Sequence, residues 1–259
     1  MRVWQVLSSM FSVLCASITF VVGADFRIEN RVYAGTEKEP ISESLTLFQA
    51  GQVYDFLTEP AETTVLDAQH GRIVLLDRTR QMRTEIKTGR LVELIASMKI
   101  RAAQSSDPLL KFLANPEFDE QFEAETGVLE LTSPLVTYRV ETEPAPSAEV
   151  VAQLRYFSSW YAQLNAILQP GGLPPFARAQ LDETLRRRQL VPQSVELTIE
   201  RGRLPPRTQV LRSEHKFTSR LLDDDIRRIE QAHDAMASFR HVTLELFRHT
   251  PGAGRPAGG

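Results

Sequence analysis

Cysteine is almost absent from this sequence: the 1 present, Cys15, lies inside the first apolar stretch. No disulfide can form within the chain, and no cysteine-based metal site can be built. Neither sign of charge dominates. There are 30 basic and 33 acidic residues, for a net charge of −3, so no global basic field points to nucleic acid. Arginine greatly outnumbers lysine, but the arginines are scattered among carboxylates, as on a mixed, solvated surface. Common catalytic signatures are missing as well: no GxSxG, HExxH, P-loop, GxGxxG or CxxC occurs. No repeat of fixed period is present, and no linker is long enough to force two domains. What remains is an ordinary globular composition. At 42% hydrophobic residues, the chain has enough apolar material for a sizeable core.

One apolar run does stand out. Arg2 precedes an uncharged stretch that continues to Val22, and Val22-Gly23-Ala24 then leads into Asp25, the first acid. This is the pattern of a signal peptide cleaved after Ala24, which predicts a periplasmic or secreted protein. The alternative is a retained anchor, because Val3 to Val22 is about long enough to span a bilayer. In that case the uncleaved segment is the membrane contact. Gln5 and the serines at 8, 9, 12 and 17 weaken the anchor. Lipidation of Cys15 is disfavoured because Leu14 occupies the place where a small residue is needed. The expected organisation is a signal peptide at 1–24, one α+β domain at 25–249 and a disordered tail at 250–259 (TPGAGRPAGG).

The stretch from Glu43 to Ile86 organises the rest. Short apolar runs alternate with turn residues, which is the signature of an antiparallel meander. Leu45 and Leu47 share one face of their strand, as do Tyr54 and Phe56, Ile73 and Leu75, and the set Met82, Thr84 and Ile86. Turns are expected at Ala50-Gly51, Glu59-Pro60-Ala61, Ala68 to Gly71 and Asp77 to Arg80. Phe26 to Tyr33 would be an earlier strand, with Ile28 and Val32 facing away from Arg27 and Arg31.

Helices and further strands follow. Leu91, Leu94, Ile95, Met98 and Ala102 fall on one face of a helix over 90–104. Asp107 is expected to cap a short helix that starts at Pro108. Strands return over 120–141. The longest helix begins after Ser147, with Val150, Leu154, Phe157, Tyr161, Leu164 and Leu168 as its stripe, and stops at Pro170-Gly171-Gly172. Another runs from Pro174-Pro175 to about Leu190, placing Leu181 and Leu185 inward and Arg186 to Arg188 outward. Val195, Leu197 and Ile199 alternate in a strand, Pro205-Pro206 sits in a hairpin loop, and Val210 to Phe217 returns. Asp223 to Asp225 opens a helix that sets Ile226, Ile229, His233 and Met236 on one face. Val242, Leu244 and Leu246 alternate as in a last strand. Strand blocks separated by helices predict α+β with one antiparallel sheet.

Few residues point to chemistry. Asp67, His70 and Asp77 could bind a metal or act as acid and base, but Asp at strand ends caps turns. Asp223 to Asp225 lacks the spacing of a calcium loop and suits a helix N-terminus. His233 and His215 are expected to be structural. No metal and no cofactor is expected. Aromatic residues are the best candidates to line a ligand cavity: Tyr54, Phe56, Trp160 and Tyr161.

The succession TLFQAGQVYDFLTEPAETTVLDAQHGRIVLLDRTRQMRTEI resembles the strand succession of LolA-like and LppX-like periplasmic lipoprotein carriers. The resemblance implies a strongly curved antiparallel sheet, an open half-barrel, with helices packed on its concave face. It also implies an exported, non-enzymatic binding or carrier-type protein for an apolar ligand such as an acyl chain or a lipoprotein. The alternatives are an envelope interaction module with a filled core, and a hydrolase with a carboxylate site outside the known motifs.

Overall fold

The computed structural model describes residues 23–169, 173–201 and 207–248. Residues 1–22 of the expected signal peptide, the expected Pro170-Gly171-Gly172 stop, the expected Pro205-Pro206 loop and the expected tail lie outside the described residues. In chain order the elements are β1 (Phe26–Ala34), β2 (Ser42–Gln49), β3 (Gln52–Leu57), β4 (Glu62–Asp67), β5 (Arg72–Asp77) and β6 (Met82–Lys87). Next come α1 (Thr88–Ala103), α2 (Pro108–Ala114), β7 (Asp119–Glu123), β8 (Val128–Thr132), β9 (Val136–Pro144), α3 (Ala148–Leu168) and α4 (Phe176–Arg188). The chain closes with β10 (Leu190–Arg201), β11 (Arg207–Thr218), α5 (Asp223–Ser238), β12 (Arg240–His241) and α6 (Leu244–Arg248).

Local chemistry explains the meander. Ala50 and Gly51 both take positive φ, 49° and 78°, as the two central residues of a tight hairpin whose twist matches its strands. Asp67 accepts from the His70 amide at 3.2 Å and Asp77 from the Arg80 amide at 2.6 Å, each fastening the turn that follows its strand. Gly127 is needed between β7 and β8: its φ is +68°, and a Cβ there would lie 2.6 Å from the Thr142 carbonyl oxygen.

The 12 strands join one sheet in the order β12-β6-β5-β4-β3-β2-β1-β11-β10-β9-β8-β7. The pairing is antiparallel except where β12 lies parallel to β6, and the sheet does not close into a barrel. β1 therefore sits inside the sheet. It pairs with β2, its neighbour in sequence, and with β11 from the far end of the chain.

Strand alternation gives the sheet two faces. One carries Phe26, Ile28, Phe48, Leu66, Ile73 and Leu75, packed with Leu91 and Ile95 of α1 and Val150, Leu164 and Leu168 of α3. On the same face, β8 to β10 pack against Leu109 and Leu113 of α2 and Leu181 and Leu185 of α4. The other face carries Leu47, Tyr54, Phe56, Val65, Val74 and Leu76, covered by Ile229, Ala232 and Ala235 of α5. Helices thus lie on both faces, not on one alone as expected. The reason is in the strands: β3, β4 and β5 place apolar side chains on both sides and are buried on both, so each side needs a cover.

The last element differs from its sequence pattern. Val242, Leu244 and Leu246 were expected in a strand, but the strand ends at His241 and Leu244–Arg248 is a helical turn. Thr243 Oγ1 accepts from the Leu246 amide at 3.2 Å, and Phe247 is the residue driven into the core, leaving Leu246 51% exposed. Arg80 holds the turn in place, donating to the Phe247 carbonyl at 2.8 Å and stacking on its ring.

Candidate ligand cavity

Between the first face of the sheet and helices α3 and α4 lies a cavity of about 280 Å³. Its floor is formed by β1, β2, β3, β9, β10 and β11, and its roof by α3, α4 and the segment Leu173 to Pro175. The walls are mostly apolar, with Ile28, Leu57, Leu154, Phe157, Val195 and Leu197 among them. Ser147 starts the roof helix by accepting from the Val150 amide at 3.2 Å, and α3 then turns its small Ala162 and Ala166 toward the space.

Polar side chains cross this floor as a chain of hydrogen bonds spanning β11, β1, β2 and β3. The Asn30 amide nitrogen donates to Thr46 Oγ1 at 2.9 Å and Ser44 Oγ at 3.2 Å, so Asn30 Oδ1 is left as acceptor. His215 Nδ1, 2.8 Å from that oxygen, must carry the proton. His215 Nε2 is then the acceptor, and Ser213 Oγ donates to it at 3.0 Å. At the other end, Thr46 Oγ1 donates to Asp55 Oδ1 at 2.8 Å. Donation therefore runs one way, from Ser213 through His215, Asn30 and Thr46 to the buried carboxylate of Asp55. Such series strengthen one another in a low-dielectric interior. Enclosure by the protein, with the positive charge of Arg178 adding to it, pushes the His215 imidazole down to about 4, so it stays neutral near pH 7.

The roof carries a second polar group. Asp182 takes Ser158 Oγ at 2.7 Å and Arg178 Nε at 2.9 Å, tying α3 to α4 inside the cavity. Burial alone would lower the Arg178 pKa, but the Asp182 carboxylate outweighs it and holds the guanidinium charged. Burial pushes the nearby Tyr138 hydroxyl up to about 12.

Of the four aromatic candidates, Tyr161 lines the cavity and the other three do not. Trp160 stands next to it on α3 but packs edge-on to Tyr156, with ring centroids 6.2 Å apart, at the margin of the core. Tyr54 and Phe56 point to the opposite face, under α5. The Tyr54 hydroxyl donates to Gln52 Oε1 and accepts from His233 Nε2 at 2.7 Å, and burial together with the Asp67 charge raises it to about 12. His233 is therefore an exposed cap on Tyr54, not a core histidine.

The other charged clusters are spent on structure. Asp67 and Asp77 lie at opposite ends of the β4–β5 ladder. Burial alone would raise the Asp67 carboxyl, but hydrogen bonds from His70 and Arg72 outweigh it and hold the group below its ordinary value. Asp225 is buried, accepting from the Leu222 amide at 2.8 Å and pairing with Arg27 at 3.2 Å, while Asp224 pairs with Arg227. Arg187 and Arg188 both reach Glu120, and Arg188 stacks on Phe122, so this basic run fastens α4 to β7. Among the described residues, no group of three or more His, Cys, Asp or Glu side chains is placed to hold a metal ion.

The floor residues escaped the sequence reading, although a signal for them exists. Asn30 lies between Ile28 and Val32 on the apolar face of its strand, and Thr46 and Asp55 occupy inward positions of theirs. A polar residue at a core position of an otherwise regular strand pattern marks either a partnered network or a site. No family model matches the chain, and no curated protein matches it.

Proposed function

We propose that this chain is an exported binding or carrier-type protein whose cavity holds an apolar ligand such as an acyl chain. The observation that carries this reading is the space itself. Protein interiors pack as densely as organic crystals and leave few voids larger than a water molecule, whereas here about 280 Å³ stays open between two elements of the core. A filled-core interaction module would close it. In this reading the sheet is strongly curved, an open half-barrel, and α1 to α4 cover its concave side. Each buried methylene contributes about 0.8 kcal/mol. A ten-carbon chain would thus offer roughly 8 kcal/mol before the costs of binding. The apolar run ending at Ala24 supports export.

Native mass spectrometry of the exported protein, followed by organic extraction, tests the reading. The expected result is a non-covalent adduct whose extract contains a long-chain lipid. Protein that is bare as isolated and takes up no added acyl ligand would overturn it.

A hydrolase is the second reading, favoured by the Ser213–His215–Asn30 series, which has the order of a nucleophile, a base and an orienting group. Two facts weigh against it. An imidazole held near 4 is a weak base at neutral pH. The amides of β1 and β11 beside His215 and Ser213 are engaged in sheet pairing, which keeps them from stabilising an oxyanion there. Ester hydrolysis abolished by Ser213→Ala, with ligand uptake unchanged, would reverse this ranking.

A further inference from the structure

A second concave surface lies on the other face of the sheet. It is a cleft of about 590 Å³ between one flank of α5 and the strands β3, β4 and β5. Phe56, Thr63 and Leu76 form a row along its floor, because Thr63 pairs with Phe56 on one side and with Leu76 on the other. Arg78, just past the end of β5, borders the cleft as well. The facing wall is α5, which presents Asp224, Arg227, Arg228 and Gln231. These recur at spacings of three and four residues and so share one flank of the helix.

The charges of this cleft are unevenly matched. Arg78 donates to the Leu57 carbonyl at 2.6 Å, which fixes its guanidinium at the strand ends. Partial enclosure lowers the Arg78 pKa, and the like charge of Arg228 lowers it further, with no carboxylate acting in the other direction. Two guanidinium groups thus face one another across the cleft. Of the two acids that border it, Asp224 is paired with Arg227. The other, Asp234, lies on α5 six residues beyond Arg228, about 9 Å along the helix axis. The floor adds a second anomaly. Thr63 is 1% exposed, and its hydroxyl has no hydrogen-bond partner. Buried polar atoms are nearly always partnered, and a valine would fill the same place without that cost.

We propose that this cleft binds a phosphate group between the guanidiniums of Arg78 and Arg228, with the Gln231 amide as a further donor. The planar donor fork of arginine matches phosphate oxygens, and an anion placed between two like charges removes their repulsion. The cleft is larger than a bare ion needs and is of the size that holds small organic ligands. Phe56, Leu76 and Phe239 supply apolar surface beside the arginines. The ligand class is therefore a phosphate monoester with an apolar or aromatic part. A soluble ester and a lipid head group both present this chemistry, and the test tells them apart. The site is separate from the cavity, which lies across the sheet, and does not depend on the carrier reading.

The test is a thermal melt of the purified protein with inorganic phosphate, with phenyl phosphate, and with chloride at matched ionic strength. Both phosphates are expected to raise Tm by about 2 °C or more over chloride, phenyl phosphate at the lower concentration. Arg228 is exposed, so Arg228→Gln should fold. It should abolish the rise, and without ligand it should melt no lower than the unmodified protein, because a repulsion is gone. Arg227→Gln, which removes an arginine already paired with Asp224, should keep most of the rise. Sedimentation with phosphatidylcholine vesicles, with and without phosphatidic acid, separates the two sources. Binding that needs phosphatidic acid and is lost in Arg228→Gln identifies a lipid head group, and a response to the soluble esters alone identifies a soluble ligand.

A rise matched by chloride, a rise that survives Arg228→Gln, or equal losses in Arg227→Gln and Arg228→Gln would overturn the proposal. So would the absence of any response to the soluble phosphates together with no binding to vesicles that contain phosphatidic acid.

Discussion

His215 shows how a single side chain is set by its surroundings. Its imidazole is enclosed by sheet and helices and lies near the Arg178 charge, and the first of these effects contributes most to moving its pKa from 6.5 to about 4. The unfolded chain, by contrast, takes up that proton near 6.5. Between these values the unfolded state binds more protons than the folded one. The stability due to neutral His215 is therefore complete above about pH 6.5 and is lost as pH falls toward 4, to a total on the order of 3 kcal/mol. Urea unfolding at about pH 7 and about pH 4.5 should show this loss, and His215→Gln should flatten it. Asp67, whose carboxyl is depressed, contributes a loss of the same sign at still lower pH, which the variant keeps. Equal slopes in the two proteins would refute the assignment. Gly127 is a second decisive position. Gly127→Ala must hold a positive φ and press a methyl toward the Thr142 carbonyl, so it should cost more than about 1 kcal/mol in a thermal melt.

At the scale of elements, α3 serves two purposes. Its amino-terminal cap and its stripe were readable in advance: Ser147 caps it, and Val150, Leu164 and Leu168 are buried. Phe157, Tyr161 and Leu154 belong to the same stripe but are partly exposed, because they face the cavity. Truncation should separate the two groups. Leu164→Ala is expected to cost about 2–5 kcal/mol, since Leu164 is 1% exposed in a closed core. Phe157→Ala should cost less than an enclosed phenylalanine, about 3 kcal/mol or below, because part of its surface already lacks neighbours. Gln163→Ala should stay within about 0.5 kcal/mol. Chemical denaturation of the three variants checks the order, and equal losses would refute the orientation of the helix.

At the scale of the whole molecule, β1 makes the sheet continuous. It joins the β2–β6 meander to the β11–β7 half, so the cavity floor exists only when residues from both ends of the chain have met. Asp25 supports the entry to β1 by accepting from the Ala50 amide at 3.1 Å. Cleavage after Ala24 would leave this contact and the whole of β1 in place. Amino-terminal sequencing of the exported protein is expected to begin at Asp25. A chain that starts at Met1 and pellets with membranes would overturn the signal-peptide reading.

The sequence by itself determined the elements along the chain, because their causes are local. Period-two alternation, the Ala50-Gly51 turn, the Asp107 and Ser147 caps and the 3.6-residue stripes depend on neighbours a few positions away. Only the tertiary structure decided what each face meets. β3 reads as buried on both sides, so alternation put Tyr54 and Phe56 together but could not say whether they faced the cavity or α5. The bond from His215 to Asn30 links residues 185 positions apart, and no local pattern encodes it. Val242 to Leu246 alternate like a strand, yet once β12 has paired with the β6 edge, burial of Phe247 and the Thr243 cap favour a helical turn. Where the competing states have similar local propensity, long-range packing settles the choice, because burial contributes more than the propensity difference.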